Sequence, residues 1–275
     1  MTGTFQGNVA VVTGASHGIG EHIALELAAR GAMLVLAARR KEELDRVAAA
    51  CRLAAAAAGR NNPEVLAIAT DVTDPVQCER LVARAAQAFG RVDTLVNNAG
   101  LGMWARVDQV RDLSVFDRVM RVNYFGAVHC TVHALPYLKA TRGRILCVSS
   151  LAGRTGVPLR SGYAASKHAL NGFFDSLRIE LRESGVSVTL VCPGFVGTGA
   201  QSRNLGFEGA PLGANPVDQS AAMTAGECAR IAVAAMAARK REVIIGARGK
   251  VGLWLKMILP RLVDDMAAKA ISRGR

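Results

Sequence analysis

Seven short, β-branched and almost wholly apolar runs recur along the chain with longer helical patterns between them, and no other feature limits its fold as strongly. The runs span 9–12, 33–37, 65–69, 94–96, 145–148, 186–191 and 243–245; the helical patterns fall near 20–30, 41–58, 75–89, 114–139, 161–184 and 226–239. A strand that is apolar on both faces must be covered on both faces, which is the condition of a parallel sheet between helices. Strict βαβα order with right-handed crossovers then predicts a single doubly wound α/β domain with a seven-stranded parallel sheet. In such sheets ligands bind beyond the C-terminal strand ends, where strand order reverses. The rhythm breaks once, over 194–225, in about thirty residues rich in Gly, Pro, Ser and Asn. A loop that long in a compact domain is expected to be a lid or binding loop. The predicted organisation is one dinucleotide-binding and catalytic domain over 1–250, with a basic amphipathic extension over 251–275.

The composition is consistent with this. Of 275 residues 51% are apolar and 20% charged, enough for a large core and against disorder. No run reaches the ~20 apolar residues needed to cross a bilayer, and the N-terminus does not read as a secretory leader. A soluble or peripheral, cytoplasmic protein is expected. The six cysteines are scattered with no CxxC pair, and the histidines are unclustered, so neither disulfides nor a metal site is expected. Cys147 and Cys192 sit inside strand runs and read as small core residues. The formal charge is +12, and 239–275 hold ten Lys or Arg against Glu242, Asp264 and Asp265. A solvated helix face is the simpler reading of that tail. Nucleic acid is not expected as a partner, because no recognisable module or interleaved aromatics accompany the charge. A lid over the pocket, an oligomer interface and a weak peripheral membrane contact remain open for the apolar stretch 251–260 and the amphipathic one after it.

The first strand runs directly into Thr13-Gly14-Ala15-Ser16-His17-Gly18-Ile19-Gly20 and then a helix. Glycines permit a tight turn and close backbone approach, and a helix N-terminus offers free N–H groups to a pyrophosphate. In this strand–turn–helix context the segment predicts a Rossmann-type nucleotide site. Tyr163 and Lys167 are four apart in a helical pattern and therefore share a face. A nearby ammonium favours the phenolate of a tyrosine, bringing it toward useful acid–base chemistry.

The spacing GxxxGxG, with Asn97-Asn98-Ala99-Gly100 after the fourth strand, Ser150, Tyr163-Ala-Ala-Ser-Lys167 and Pro193-Gly194 in that order, resembles the short-chain dehydrogenase/reductase family. These motifs cover residues 8 to about 198. The resemblance implies an oxidoreductase in which Tyr163 exchanges a proton with the substrate oxygen and Lys167 lowers the tyrosine pKa and holds the nicotinamide ribose. It further implies that Ser150 hydrogen-bonds the substrate oxygen and that Asn123 completes the tetrad by anchoring a relay water. Gly14, Ser16, His17, Gly18, Ile19, Gly20, Asp71, Val72, Asn97, Ala99, Gly100, Pro193, Gly194, Val196 and Thr198 are implied cofactor contacts, as are Tyr163 and Lys167. Three residues between Tyr and Lys, not six, imply carbonyl or alcohol chemistry instead of C=C reduction. Homodimers or homotetramers are usual in the family, and the long apolar helices could support them.

The second strand ends in Ala37-Ala38-Arg39-Arg40, with no acidic residue to hold the ribose hydroxyls of NAD. A guanidinium there suits a 2′-phosphate, so NADP(H) is expected over NAD(H), through Arg39 first and Arg40 second. Apolar residues near the tetrad (Leu151, Val157, Pro158, Leu159, Met103, Trp104, Phe195) predict a hydrophobic ketone or secondary alcohol as substrate. Arg154 and Arg160 are the candidates for holding a substrate carboxylate, but solvated flanking arginines are the simpler reading. The alternative function is a dinucleotide-binding sensor or interaction protein without turnover, which would not need the proton-transfer pair.

Overall fold

The computed structural model describes residues 5–60, 64–214 and 222–272. β1 (Val9–Thr13) leads into α1 (Gly18–Ala29), β2 (Met33–Ala38) into α2 (Lys41–Ala57), and β3 (Val65–Ala69) into α3 (Pro75–Phe89). β4 (Thr94–Asn97) is followed by α4 (Ser114–Met120), a wider π turn over Arg121–Phe125, and α5 (Gly126–Thr141). Next come β5 (Arg144–Val148), α6 (Ser161–Glu180) and β6 (Ser187–Cys192). After the two-residue strands β7 (Val196–Gly197) and β8 (Met223–Thr224) come α7 (Ala225–Ala237), β9 (Glu242–Ile244), α8 (Ala247–Ile258) and α9 (Pro260–Ser272).

Seven strands form one sheet in the order β3-β2-β1-β4-β5-β6-β9, every pair parallel. The chain is thus a single Rossmann-like α/β domain. It winds outward from β1 to β3 and then returns to the other side of β1, pairing Val12 with Val96. That reversal opens a crevice beyond the ends of β1 and β4. The strand period of two divides the core. Ala10 and Val12 cluster with residues of α1, α2 and α7, whereas Val11 clusters with α3, α5 and α6. Side chains such as Leu95 and Ile145 are wholly buried, each contributing about 1.5–3 kcal/mol relative to exposure.

The structure refines three expectations. The helix expected over 114–139 is interrupted by the π turn, which a continuous apolar pattern does not reveal. π turns often mark functional sites, and this one buries Asn123 at its centre. Beside it, a Cβ on Gly126 would lie 2.6 Å from Val72 Cγ2, so only glycine allows α5 to approach. The helix expected to reach 184 ends at Glu180, beyond which Gly185 turns the chain at φ 74°. The 194–225 segment carries its own parallel pair, β7 with β8, which ties its two ends together. Residues 215–221 of that segment and 273–275 of the tail lie outside the described residues. α8 runs through the expected boundary at 250. Among the described residues no helix is long and apolar enough to cross a membrane.

Candidate active site

The turn after β1 is fixed by hydrogen bonds to the end of β4. Thr13 Oγ1 donates to Val96 O (3.1 Å) and accepts from the N–H groups of Asn98 (3.0 Å) and Ala99 (3.2 Å). The Asn98 amide donates to Thr13 O and Gly14 O at 3.0 and 3.1 Å. Gly14 and Gly18 both have φ 63°, and a Cβ on Gly14 would come within 2.8 Å of Ala99 Cα. On Gly20 it would meet Gly14 O at 2.3 Å. Side chains are excluded and backbone N–H groups are exposed instead. α1 begins at Gly18 with no side-chain cap, so its first-turn amides are available to an anion. His17, the residue before it, accepts or donates a 2.9 Å bond with Ser16. Burial and the cations Arg203 and Arg40 hold its pKa at about 4, so its imidazole is neutral at pH 7.

Arg39 and Arg40 lie exposed just past β2. The nearby carboxylates are taken elsewhere, Asp45 by Lys41 and Glu43 by Arg46, which also reaches Glu21 and Ser16 O. Asp71 accepts from the N–H and hydroxyl of Thr73 (2.9 and 2.8 Å) through one oxygen. The cap of α3 is Asp74, so Asp71 is not spent there. Val72 is buried, and its carbonyl accepts from Cys78. Asn97 donates to Thr131 Oγ1 (2.9 Å) and packs inward. A dinucleotide phosphate fits this cradle, with its bare glycines, uncapped helix start and two arginines that make no ion pair among the described residues.

Gly14, His17, Gly18, Ile19 and Gly100 share a cavity of about 200 Å³ with Ser150, Tyr163, Lys167, Pro193, Gly194, Val196 and Thr198. Ser150 is buried and its Oγ accepts from Ala152 N–H (3.1 Å), which leaves its own proton to donate. Lys167, also buried, donates to Val148 O at 2.9 Å, and its Nζ lies 5.8 Å from the Tyr163 ring centre. Burial pushes the Tyr163 phenol up, but Lys167, then Arg160, then a bond from Ser150 outweigh it and hold the phenol below the ordinary tyrosine value. Asn123 lines a smaller adjoining cavity together with Lys167, its Oδ1 3.5 Å from where a Cβ on Gly100 would lie. It accepts from Leu101 N–H (2.7 Å) and donates to Leu101 O (2.9 Å) and Ser166 Oγ (2.8 Å), pinning α6 to the segment after β4.

The apolar surroundings differ from expectation. Of the seven apolar residues expected near the tetrad only Phe195 lines the cavity. Met103 is buried in a small cluster with Val115, Val119 and Leu205 that packs against Tyr163, so it borders the tetrad as expected without lining the cavity, and Leu151 packs under Gly194 and Gly249. Arg154 is partly buried and paired with Glu242 and Asp175 instead of solvated. Arg160 is not solvated. It turns into the cavity, with its guanidinium carbon 4.1 Å from the Tyr163 ring centre. Besides Arg160, sequence reasoning missed Thr13, Asn98 and Asn204. The first two stand inside quoted motifs and could have been read as anchors of the turn. Asn204 is a buried loop residue against which a Cβ on Gly102 would clash at 2.0 Å, and no spacing announces it.

Comparison with known proteins gives one pattern. A short chain dehydrogenase family model matches residues 8–206. The chain is 38% identical over 257 residues to an Arabidopsis thaliana 11-beta-hydroxysteroid dehydrogenase-like protein, covering 94% of this chain and 82% of the relative. It resembles a Burkholderia phymatum short-chain dehydrogenase/reductase solved with NAD at TM-score 0.81 and 27% identity, over 94% of this chain and 96% of the other. A Thermococcus sibiricus alcohol dehydrogenase complexed with 5-hydroxy-NADP gives TM-score 0.73 and 27% identity, over 86% and 95%.

Proposed function

The chain belongs to the short-chain dehydrogenase family of oxidoreductases acting on alcohol and carbonyl groups, and from that premise we propose that it interconverts a ketone and a secondary alcohol with NADP(H). The observation that carries this reading is the convergence of Ser150, Tyr163 and Lys167 on one cavity continuous with the glycine turn. When bound, the nicotinamide supplies or accepts the hydride. Tyr163 gives its phenolic proton to the carbonyl oxygen during reduction and takes it back during oxidation. Ser150, held in place by accepting from Ala152 N–H, donates its proton to the same oxygen and polarises the carbonyl. Lys167 favours the phenolate and holds the ribose. Asn123 keeps α6, and with it Tyr163, in register.

The choice of NADP(H) over NAD(H) rests on Arg39 and Arg40, which have charge to spare where a 2′-phosphate would lie, and no acid stands at the end of β2. Phe195, Leu101 and Val148 in the cavity wall favour an apolar carbonyl substrate. The relative named for hydroxysteroid dehydrogenation supports that class. A cytoplasmic homodimer or homotetramer belongs to the same proposal.

The test is NADPH and NADH oxidation against a panel of ketones and aldehydes, with Tyr163→Phe as control. Turnover favouring NADPH, reduced at least about 100-fold in the variant, is expected. Tight NADPH binding without turnover of any carbonyl or alcohol would instead make the protein a dinucleotide sensor.

A further inference from the structure

Arg160 stands at the N-cap of α6, where local rules argue against an arginine. It makes no capping hydrogen bond, and a cation there meets the positive end of the helix dipole. Among the described residues its buried Nε has no hydrogen-bond partner and no carboxylate offsets its charge. The residue before it, Leu159, has φ 66°, a left-handed conformation that a branched side chain adopts only at a cost. Two backbone bonds hold that turn in place, Arg160 N–H to Val157 O (3.2 Å) and Ala105 N–H to Leu159 O (2.8 Å). Local preferences are thus overridden to keep one guanidinium inside the cavity, and such conflicts concentrate at functional sites.

What the position gains is contact with Tyr163. The guanidinium carbon lies 4.1 Å from the centre of that ring, and 5.8 and 5.9 Å from those of Trp104 and Phe195. Lys167 Nζ is 5.8 Å from the Tyr163 ring centre as well. We propose that Arg160 is a positioning residue of the reaction: a second fixed cation that, with Lys167, stabilises the Tyr163 phenolate. This rests on Tyr163 being the acid–base group. The groups facing Tyr163 are Lys167 and Arg160 on α6 and its cap, Ser150 beyond β5, and Cys192 at the end of β6. Burial pushes the Cys192 thiol up to about 12, so it carries no charge at neutral pH. His17, across the cavity, is neutral, and no Asp or Glu lines the space. The two cations therefore act on the phenol without opposition from a carboxylate in the cavity, and a partly desolvated setting strengthens their effect.

The experiment compares the full chain with Arg160→Met and Arg160→Lys in two readouts. The first is a pH titration of tyrosinate near-ultraviolet absorbance, with Tyr163→Phe as the subtraction that removes Tyr124 and Tyr137. The second is the pH profile of alcohol oxidation. Removing a cation destabilises the phenolate, so Arg160→Met should titrate at least about one pH unit higher. Its oxidation rate at neutral pH should fall about tenfold and recover in alkali, while Arg160→Lys stays near wild type. An unmoved tyrosinate titration, or a loss of activity uniform across pH, would overturn the proposal. A KM increase confined to anionic carbonyl substrates with no change in titration would overturn it too, in favour of substrate recognition. If Arg160→Met fails to fold, Arg160→Gln takes its place. The tyrosinate readout needs no turnover, so absence of activity in the wild type would count against the proposed reaction and leave the Arg160 measurement intact.

Discussion

The two walls of the cleft are built on different terms. On the glycine-turn side, the side chains of Thr13 and Asn98 tie β1 to β4 by hydrogen bonds to backbone groups, and Gly14, Gly18 and Gly20 are each enforced by a neighbour within 3 Å or by a positive φ. On the other side stand Arg160, Phe195, Thr198 and Asn204, and behind them α8 rests its first turn on Leu151 through Gly249. Beyond that turn α8 leaves much apolar surface uncovered: Trp254 is 72% and Met257 78% exposed. The first wall is held by backbone geometry that tolerates little change. The second is held by side chains and loops, where substrate preference and surface contacts can vary without loss of the fold.

Substitutions should sharpen this contrast in descending order. Gly14→Ala forces a Cβ into the left-handed region and against Ala99, so a loss of about 2–5 kcal/mol is expected from strain and overpacking. Thermal unfolding and NADPH titration check it, and near-wild-type values in both would refute the rigid-wall description. Next, Arg39→Ala with Arg40→Ala should lower the NADPH-to-NADH ratio of kcat/KM by about 10–100-fold through lost charge-assisted bonds. An unchanged ratio would move the phosphate contact elsewhere, with Arg203 the next candidate because its charge is felt at His17. The smallest effect is expected from deleting 250–275: kcat/KM should stay within about threefold, as for elements that bury little apolar surface. The same deletion should abolish any flotation with anionic liposomes, since the tail combines basic residues with an exposed tryptophan. A large loss of activity would show that α8 completes the pocket.

Legibility follows the same division. Gly14, Tyr163 and Lys167 could be read because each depends on local spacing: a turn after a strand, or two residues one helical turn apart; Ser150 was legible only through the resemblance to the family. Asn123 could be placed in its helix, but not the π turn that buries it, since widening by one residue leaves the apolar pattern unbroken. Which of the apolar residues near the tetrad reach the cavity wall was not legible either. Leu151 and Leu159 are close to Ser150 and Tyr163 in sequence, yet Leu151 packs beneath α8 and Leu159 sits in a turn, whereas Met103, distant in sequence, belongs to a cluster that packs against Tyr163. Proximity along a chain does not fix direction in a loop.

The sequence by itself determined the doubly wound sheet, the strand ends where chemistry gathers and the phosphate turn, because periodicity and backbone permissiveness are properties of short segments. Only the tertiary structure decided that Arg160 faces Tyr163 while Arg154 pairs with Glu242 and Asp175. Two arginines six positions apart look alike in a sequence. What separates them is burial and the company of distant residues, and those exist only once the chain has folded.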